Sequence, residues 1–270
     1  MGSRRDMIDQ VKKRVEELFD SGKIDAFLGL KLVSGHVVPY LFDKKEELDN
    51  LSIGDHRGAG DARYPLNKIL IRLCREYADK RFAVLVRGCD ERGLRTLFIW
   101  NQLDPQRVIP VGVACPEELA KRCECLKPYP DEFVAGEKTE GVEFSTVRRW
   151  ESLSISERFN GWMGEFLKCI KCYGCRDICP MCFCKECSLE TDELIRRGEF
   201  PPEIPIFHLV RASHMAGRCI DCGLCEEACP AGIPLRTLYK RVFEIMRDEF
   251  QYETGYTDSK SPLNVGGSIT

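Results

Sequence analysis

Apolar positions in the first half of the chain alternate between helical and strand periodicity. Residues 4–19 space their apolar side chains three or four positions apart between charged ones, which predicts an amphipathic helix within residues 1–23. The pattern further along predicts a helix, a buried strand, a helix and a second strand at residues 66–80, 81–86, 90–102 and 107–113. Because a strand, a helix and a strand in this order favour a parallel pair, residues 24–131 are expected to form an α/β domain with a partly parallel sheet.

The second half of the chain shows a different pattern. Residues 132–157 carry charge and glycine with few periodic apolar positions, so they are expected to be a linker. Residues 158–254 are expected to form a helix-rich α+β domain, with helices at 190–197 and 207–217 separated by prolines at 201, 202 and 205. The polar, glycine-containing segment 255–270 is expected to be a mobile tail.

Composition and charge narrow the class of protein. No apolar run approaches the roughly 18 residues of a membrane span, and the mixed charges of the N-terminal segment do not suit a secretory signal. The net charge of -3 gives no global attraction to nucleic acid, so no nucleic-acid partner is expected. Sixteen cysteines in a chain of this kind favour metal or redox chemistry over disulfides, which predicts a cytoplasmic protein.

Eight of the cysteines stand in two copies of one motif, CIKCYGCRDICP and CIDCGLCEEACP. In C-x-x-C-x-x-C-x-x-x-C-P, three thiolates of one loop wrap a 4Fe-4S cluster and the fourth reaches the other cluster. This rule assigns one cluster to Cys169, Cys172, Cys175 and Cys229, and the other to Cys219, Cys222, Cys225 and Cys179. Zinc is the alternative for thiolate ligands, although structural zinc sites usually combine C-x-x-C pairs into one tetrahedron.

Two further groups of cysteines lie outside these motifs. Cys182, Cys184 and Cys187 follow the first motif at once, and they either pack around its cluster as buried thiols or ligate something else. The other group comprises Cys89, Cys115, Cys123 and Cys125. Two of these follow the ends of predicted parallel strands and two follow one helical segment later, so they make a candidate third metal site. The alternative is that they are scattered core or surface residues, because C-x-C is not a diagnostic spacing.

Two loops in the first half are candidate anion sites. The glycine-rich segment 54–65 contains His56, Arg57 and Arg63 and could hold a phosphate or be a simple surface loop. Arg87 and Gly88 precede a predicted helix at a strand end, where backbone N–H groups favour anions. No Ser-His-Asp, paired-carboxylate or Walker pattern supports a hydrolase or phosphotransferase.

The two halves each resemble a known family. Residues 166–250 resemble the dicluster ferredoxin domain, in the helical variety found in reductase subunits. The stretches IDAFLGLKLVSGHVVPYLFDKKEEL, GDARYPLNKILIRLCREYADKRFAVLVRGCDERGLRTL and VIPVGVACPEELAKRCECLKPYP resemble the beta-subunit family of deazaflavin-reducing hydrogenases and formate dehydrogenases. That resemblance implies a bound flavin, usually FAD, and its matching positions supply candidate contacts at Gly58, Arg63, Tyr64, Arg87, Gly88 and Asp90.

These resemblances imply an iron-sulfur electron-transfer subunit of a multi-subunit oxidoreductase complex of the hydrogenase, formate dehydrogenase or heterodisulfide-reductase-like kind. In this interpretation two 4Fe-4S clusters relay electrons to or from a flavin or a partner subunit. A flavin-free electron carrier or docking adaptor is the alternative, and a zinc protein without redox-active iron is a third hypothesis.

Overall fold

The computed structural model describes residues 4–196, 198–199 and 203–264. The chain divides into two compact units, Met1–Glu143 and Phe144–Thr270. The division falls inside the segment expected to be a linker. The predicted helix break at Pro201 and Pro202, and positions 265–270 of the expected tail, lie outside the described residues.

The first unit is built on a five-stranded mixed sheet. Its strands are β1 Ala26–Val33, β2 His36–Phe42, β3 Leu51–Ser52, β4 Phe82–Val86 and β5 Val108–Gly112. Their path is β2-β1-β4-β5, with β3 also paired to β1. The β1–β4 and β4–β5 pairs are parallel, whereas β2 and β3 run antiparallel to β1. The partly parallel sheet predicted from the sequence is therefore confirmed.

Helices connect these strands where the periodicity predicts them. They are α1 Arg4–Asp20, α2 Leu66–Glu76, α3 Gly88–Ile99 and α4 Glu117–Cys123, with a 3-10 turn at Lys45–Asn50. Every residue of β4 is buried, as expected for a parallel strand covered on both faces. Because α3 joins the parallel strands β4 and β5, the loops at their carboxyl ends place Arg87 and Cys115 at the same edge of the sheet.

The second unit is helical. Its helices are α5 Ser145–Glu151, α6 Ile155–Leu167, α7 Gly174–Asp177, α8 Ile206–Met215, α9 Leu224–Glu227 and α10 Leu235–Phe250, with 3-10 turns at Ser188–Glu190 and Pro262–Asn264. Ser154 and Glu157 form a capping box that begins α6. The two shortest helices, α7 and α9, each begin in the middle of a cysteine motif.

Two segments differ from the sequence-based expectation. The helix expected at 190–197 is wrong for residues 191–196, which form turns, while position 197 lies outside the described residues. One turn forms, in which Ile195 N donates to the Thr191 carbonyl, but the next residue is bound from outside the segment. Arg196 N donates to the Glu203 side chain, and Lys171 Nζ donates to the Arg196 carbonyl. Ile195 is thereby held in a buried cluster.

The expected linker 132–157 also contains regular structure. Val134 N donates to the Gly112 carbonyl beside the end of β5, so the first part of this segment packs on the sheet. Helix α5 and the first turn of α6 lie in its second part, where Val147 is buried with Phe144 and Phe243. The apolar periodicity of this segment is weak because α5 has one fully buried residue, so the sequence gives little signal for a helix there.

Within the part of the chain that the structure describes, no helix has the length and apolar character that crossing a bilayer requires.

Candidate metal centres

The two cysteine motifs adopt the same backbone conformation. Lys171 and Asp221 occupy equivalent positions with φ of 48° and 51°, and the N–H of each donates to the sulfur two residues earlier, at 3.4 Å in both loops. Tyr173 and Gly223 then take φ of 58° and 76° before the short helices begin. Left-handed residues followed by a helix start turn successive N–H groups inward, which favours an anionic group in the loop.

The eight cysteines surround two cavities in crossed sets. The first cavity, site A, is lined by Cys169, Cys172, Cys175 and Cys229. The second, site B, is lined by Cys219, Cys222, Cys225 and Cys179. Each set therefore combines three cysteines of one motif with the last cysteine of the other, which is the arrangement that the spacing predicts for two 4Fe-4S clusters.

The donor set of each cavity consists of four cysteines. Thiolates match the soft-ligand preference of iron-sulfur iron. Burial raises the pKa of Cys219 to about 12 and also raises those of Cys175 and Cys225, so cluster binding must displace protons from these thiols.

The two cavities differ in their other walls. Site A is lined by aromatic and aliphatic residues and by His208. The His208 ring is buried and stacks on Phe166, with the two ring centroids 4.5 Å apart. Burial, with Arg211 as a second cause, lowers the pKa of His208 to about 4, so this ring is neutral near pH 7. Site B is lined by Arg211 and Arg236. Cysteine spacing gives no signal for these residues, although His208 and Arg211 lie three positions apart in a predicted helix.

The three cysteines that follow the first motif have separate surroundings. Arg211 Nη1 donates to Cys182 Sγ at 3.2 Å, and Arg218 Nη1 lies 3.7 Å from Cys184 Sγ. Cys187 packs against a different buried cluster, around Leu189. Among the described residues that line site A and site B, none of these three cysteines is found.

In the first unit, Cys115, Cys123 and Cys125 form one buried cluster with Ala59 and Leu119. The fourth predicted member, Cys89, is half-buried in the first turn of α3.

An arginine contacts each of the three buried thiols. Arg63 Nη1 lies 3.7 Å from Cys123 Sγ, and Arg92 Nη2 lies 4.0 Å from Cys125 Sγ. The third arginine, Arg87, lies close enough to Cys115 for its positive charge to act on that thiol. Burial raises the pKa of Cys115 and Arg87 opposes that shift.

The predicted flavin contacts are in part engaged within the protein. Arg87 Nη2 donates to the buried carboxylate of Asp55 at 2.7 Å. The Tyr64 hydroxyl donates to the Val37 carbonyl at 2.7 Å.

The remaining candidates border the start of α3 and the glycine-rich loop. Asp90 accepts from Arg87 N at 3.0 Å and so caps α3. A Cβ atom at Gly88 would lie 2.6 Å from the Lys127 carbonyl oxygen, so Gly88 permits close packing. Gly58 faces open space, with nothing within 4 Å of a Cβ there.

Comparisons with known proteins agree with both halves. A protein-family model described as the 4Fe-4S dicluster domain matches residues 168–234. The F420-dependent formate dehydrogenase subunit beta of Methanocaldococcus jannaschii is 30% identical over 223 residues, which is 82% of this chain and 54% of that protein. The F420-dependent formate dehydrogenase 1 subunit beta of Methanococcus maripaludis is 46% identical over 107 residues, or 40% of this chain and 27% of that protein.

An alignment of 223 residues is longer than either unit, so the similarity to the first relative extends into both. The chain spans about half the length of that relative. The chain is thus similar in sequence to the beta subunits of F420-dependent formate dehydrogenases, and its residues 168–234 match the 4Fe-4S dicluster domain.

Proposed function

We propose that this chain is an iron-sulfur subunit of an oxidoreductase complex and relays electrons through two 4Fe-4S clusters. The observation that carries the proposal is the pair of cavities, each lined by three cysteines of one motif and the fourth of the other. The dicluster family match and the two beta-subunit relatives support it. Cysteines of site A bind one cluster and cysteines of site B the other. Electron relay requires no acid or base from the protein.

The cysteine group of the first unit is proposed to bind a third cluster. Three buried thiols lie together, each beside a guanidinium group that would stabilise a thiolate. With Cys89 as fourth ligand, the donor set matches that of a 4Fe-4S cluster. Substituting Cys123→Ala should then remove about four irons, whereas Cys74→Ala, another buried cysteine of the same unit, should remove none. Equal iron in both variants would contradict the third cluster.

A flavin is proposed to exchange electrons with these clusters. The positions that match the beta-subunit family surround the start of α3 and the glycine-rich loop, where helix N–H groups favour a phosphate. Partners are proposed to be the other subunits of a hydrogenase, formate dehydrogenase or heterodisulfide-reductase-like complex. The sixteen cysteines form no disulfide among the described residues, which supports a reducing, cytoplasmic setting.

A flavin-free carrier or docking adaptor is the second candidate function. The observation that favours it is the internal engagement of Arg87 and Tyr64, whose side chains already bind Asp55 and the Val37 carbonyl.

The two functions are separated by an anaerobic test of the purified full chain. Protein incubated with FAD, freed of unbound cofactor and assayed for flavin should retain FAD and pass electrons from photoreduced flavin to its clusters, seen as bleaching of their visible absorption. Reduced F420 is the second donor to test, because the relatives are F420-dependent. Clusters without flavin retention and without reduction by either donor would favour the adaptor.

A further inference from the structure

Arg211, on α8, is a buried cation between the two cluster sites. Its side chain is 3% exposed and lines site B together with Cys219 and Cys225. Its Nη2 atom donates to the backbone carbonyl of Cys175, a predicted ligand of site A, at 2.8 Å. One guanidinium group therefore touches the surroundings of both sites.

The charge of this guanidinium is not balanced by a carboxylate. Among the described residues, no aspartate or glutamate forms an ion pair with Arg211, and its other hydrogen bond goes to the sulfur of Cys182. Its Nε atom is buried without a hydrogen-bond partner. The nearest acidic side chain of the site B wall, Asp221, is already paired with Arg236 at 2.7 Å and Lys240 at 3.1 Å.

A buried cation without a counter-ion is costly by several kcal/mol, unless an anion binds beside it. A 4Fe-4S cluster held by four thiolates carries net negative charge, and adding an electron makes it more negative. The cation therefore favours the reduced form of a neighbouring cluster, and net charge is one of the factors that set cluster potentials. The N–H···S bonds of the two loops are matched at 3.4 Å, so they do not distinguish the sites.

We infer that Arg211 is the shared counter-cation of the clusters in sites A and B and raises the reduction potential of both. This inference rests on the proposed function. Arg211 is not a cluster ligand; its positive charge stabilises the added electron on the reduced clusters. The Tyr239 ring, 5.9 Å from the guanidinium carbon, covers it on one side.

The test is a redox titration of anaerobic full chain followed by electron paramagnetic resonance, with iron content measured in parallel. Arg211→Met should lower the reduction equilibrium constant of both clusters at least tenfold, which is about 59 mV for a one-electron couple. Arg211→Lys retains the charge and should shift each potential by less than half as much. Arg176→Met is the matched control, because Arg176 lies in a cysteine loop but is paired with Asp177 and Glu190. Arg176→Met should also shift each cluster potential by less than half of the shift that Arg211→Met causes.

The outcomes separate this inference from the proposed function. If Arg211→Met keeps its iron and neither potential moves, or only one moves, the shared role is overturned. If Arg211→Met loses iron but Arg211→Lys keeps it, the charge is required and the inference stands. Loss of iron in both variants would assign Arg211 a packing role and overturn it. Wild-type protein without iron would instead refute the proposed function.

Discussion

The crossed cysteine sets predict which pairs of substitutions are redundant. Cys172→Ala removes one cysteine of site A, and Cys229→Ala removes another although it lies in the other motif. Because each 4Fe-4S cluster contains four irons, each single variant should lose about four of the irons in sites A and B, and the double variant should also lose about four. Cys172→Ala combined with Cys179→Ala takes one cysteine from each site and should lose about eight.

Iron and acid-labile sulfide, measured on anaerobically purified protein, give the readout. Far-ultraviolet circular dichroism shows whether each variant remains folded, and Cys74→Ala is a control for loss of a buried thiol outside both sites. The reasoning is refuted if the pattern is reversed, with Cys172→Ala and Cys229→Ala together removing all eight irons while Cys172→Ala and Cys179→Ala remove four. That result would mean that each motif binds its own cluster.

Two predictions concern the first unit. Gly112→Ala should lower the free energy of unfolding by about 1–3 kcal/mol, because its Cβ would lie 2.0 Å from the Glu132 carbonyl oxygen. Gly58→Ala in the same unit, with nothing within 4 Å of the added Cβ, should not destabilise the protein, and equal urea midpoints of the two variants would contradict this. Arg87→Met should cost about 3–5 kcal/mol by leaving Asp55 buried and unpaired, and adding Asp55→Asn should restore part of that loss in the same unfolding assay. No rescue by the second substitution would contradict the ion-pair explanation.

Much of the fold follows from local patterns in the sequence. Helix α1 and strands β4 and β5 carry strong apolar periodicity, and the parallel order follows from the helix between the two strands. The cysteine motifs predict the crossed sets because the three-residue spacing fixes which sulfurs share a loop.

The remaining features depend on contacts between distant residues. The segment 191–196 has helical composition, yet the backbone groups of its last residue, Arg196, are bound by Glu203 and Lys171, which no local pattern records. The pairing of arginines with Cys115, Cys123 and Cys125 depends in the same way on three separate segments meeting at one sheet edge. Arg211 belongs to neither cysteine motif, so the motifs do not predict its position beside the two sites.

The most direct test of the central claim is the metal content of anaerobically purified protein, with an electron paramagnetic resonance spectrum after dithionite reduction. Sites A and B predict about eight irons with matching acid-labile sulfide, and about twelve if Cys89, Cys115, Cys123 and Cys125 bind a third cluster. The spectrum should show reduced 4Fe-4S clusters. Zinc in place of iron, with no signal on reduction, would contradict the account.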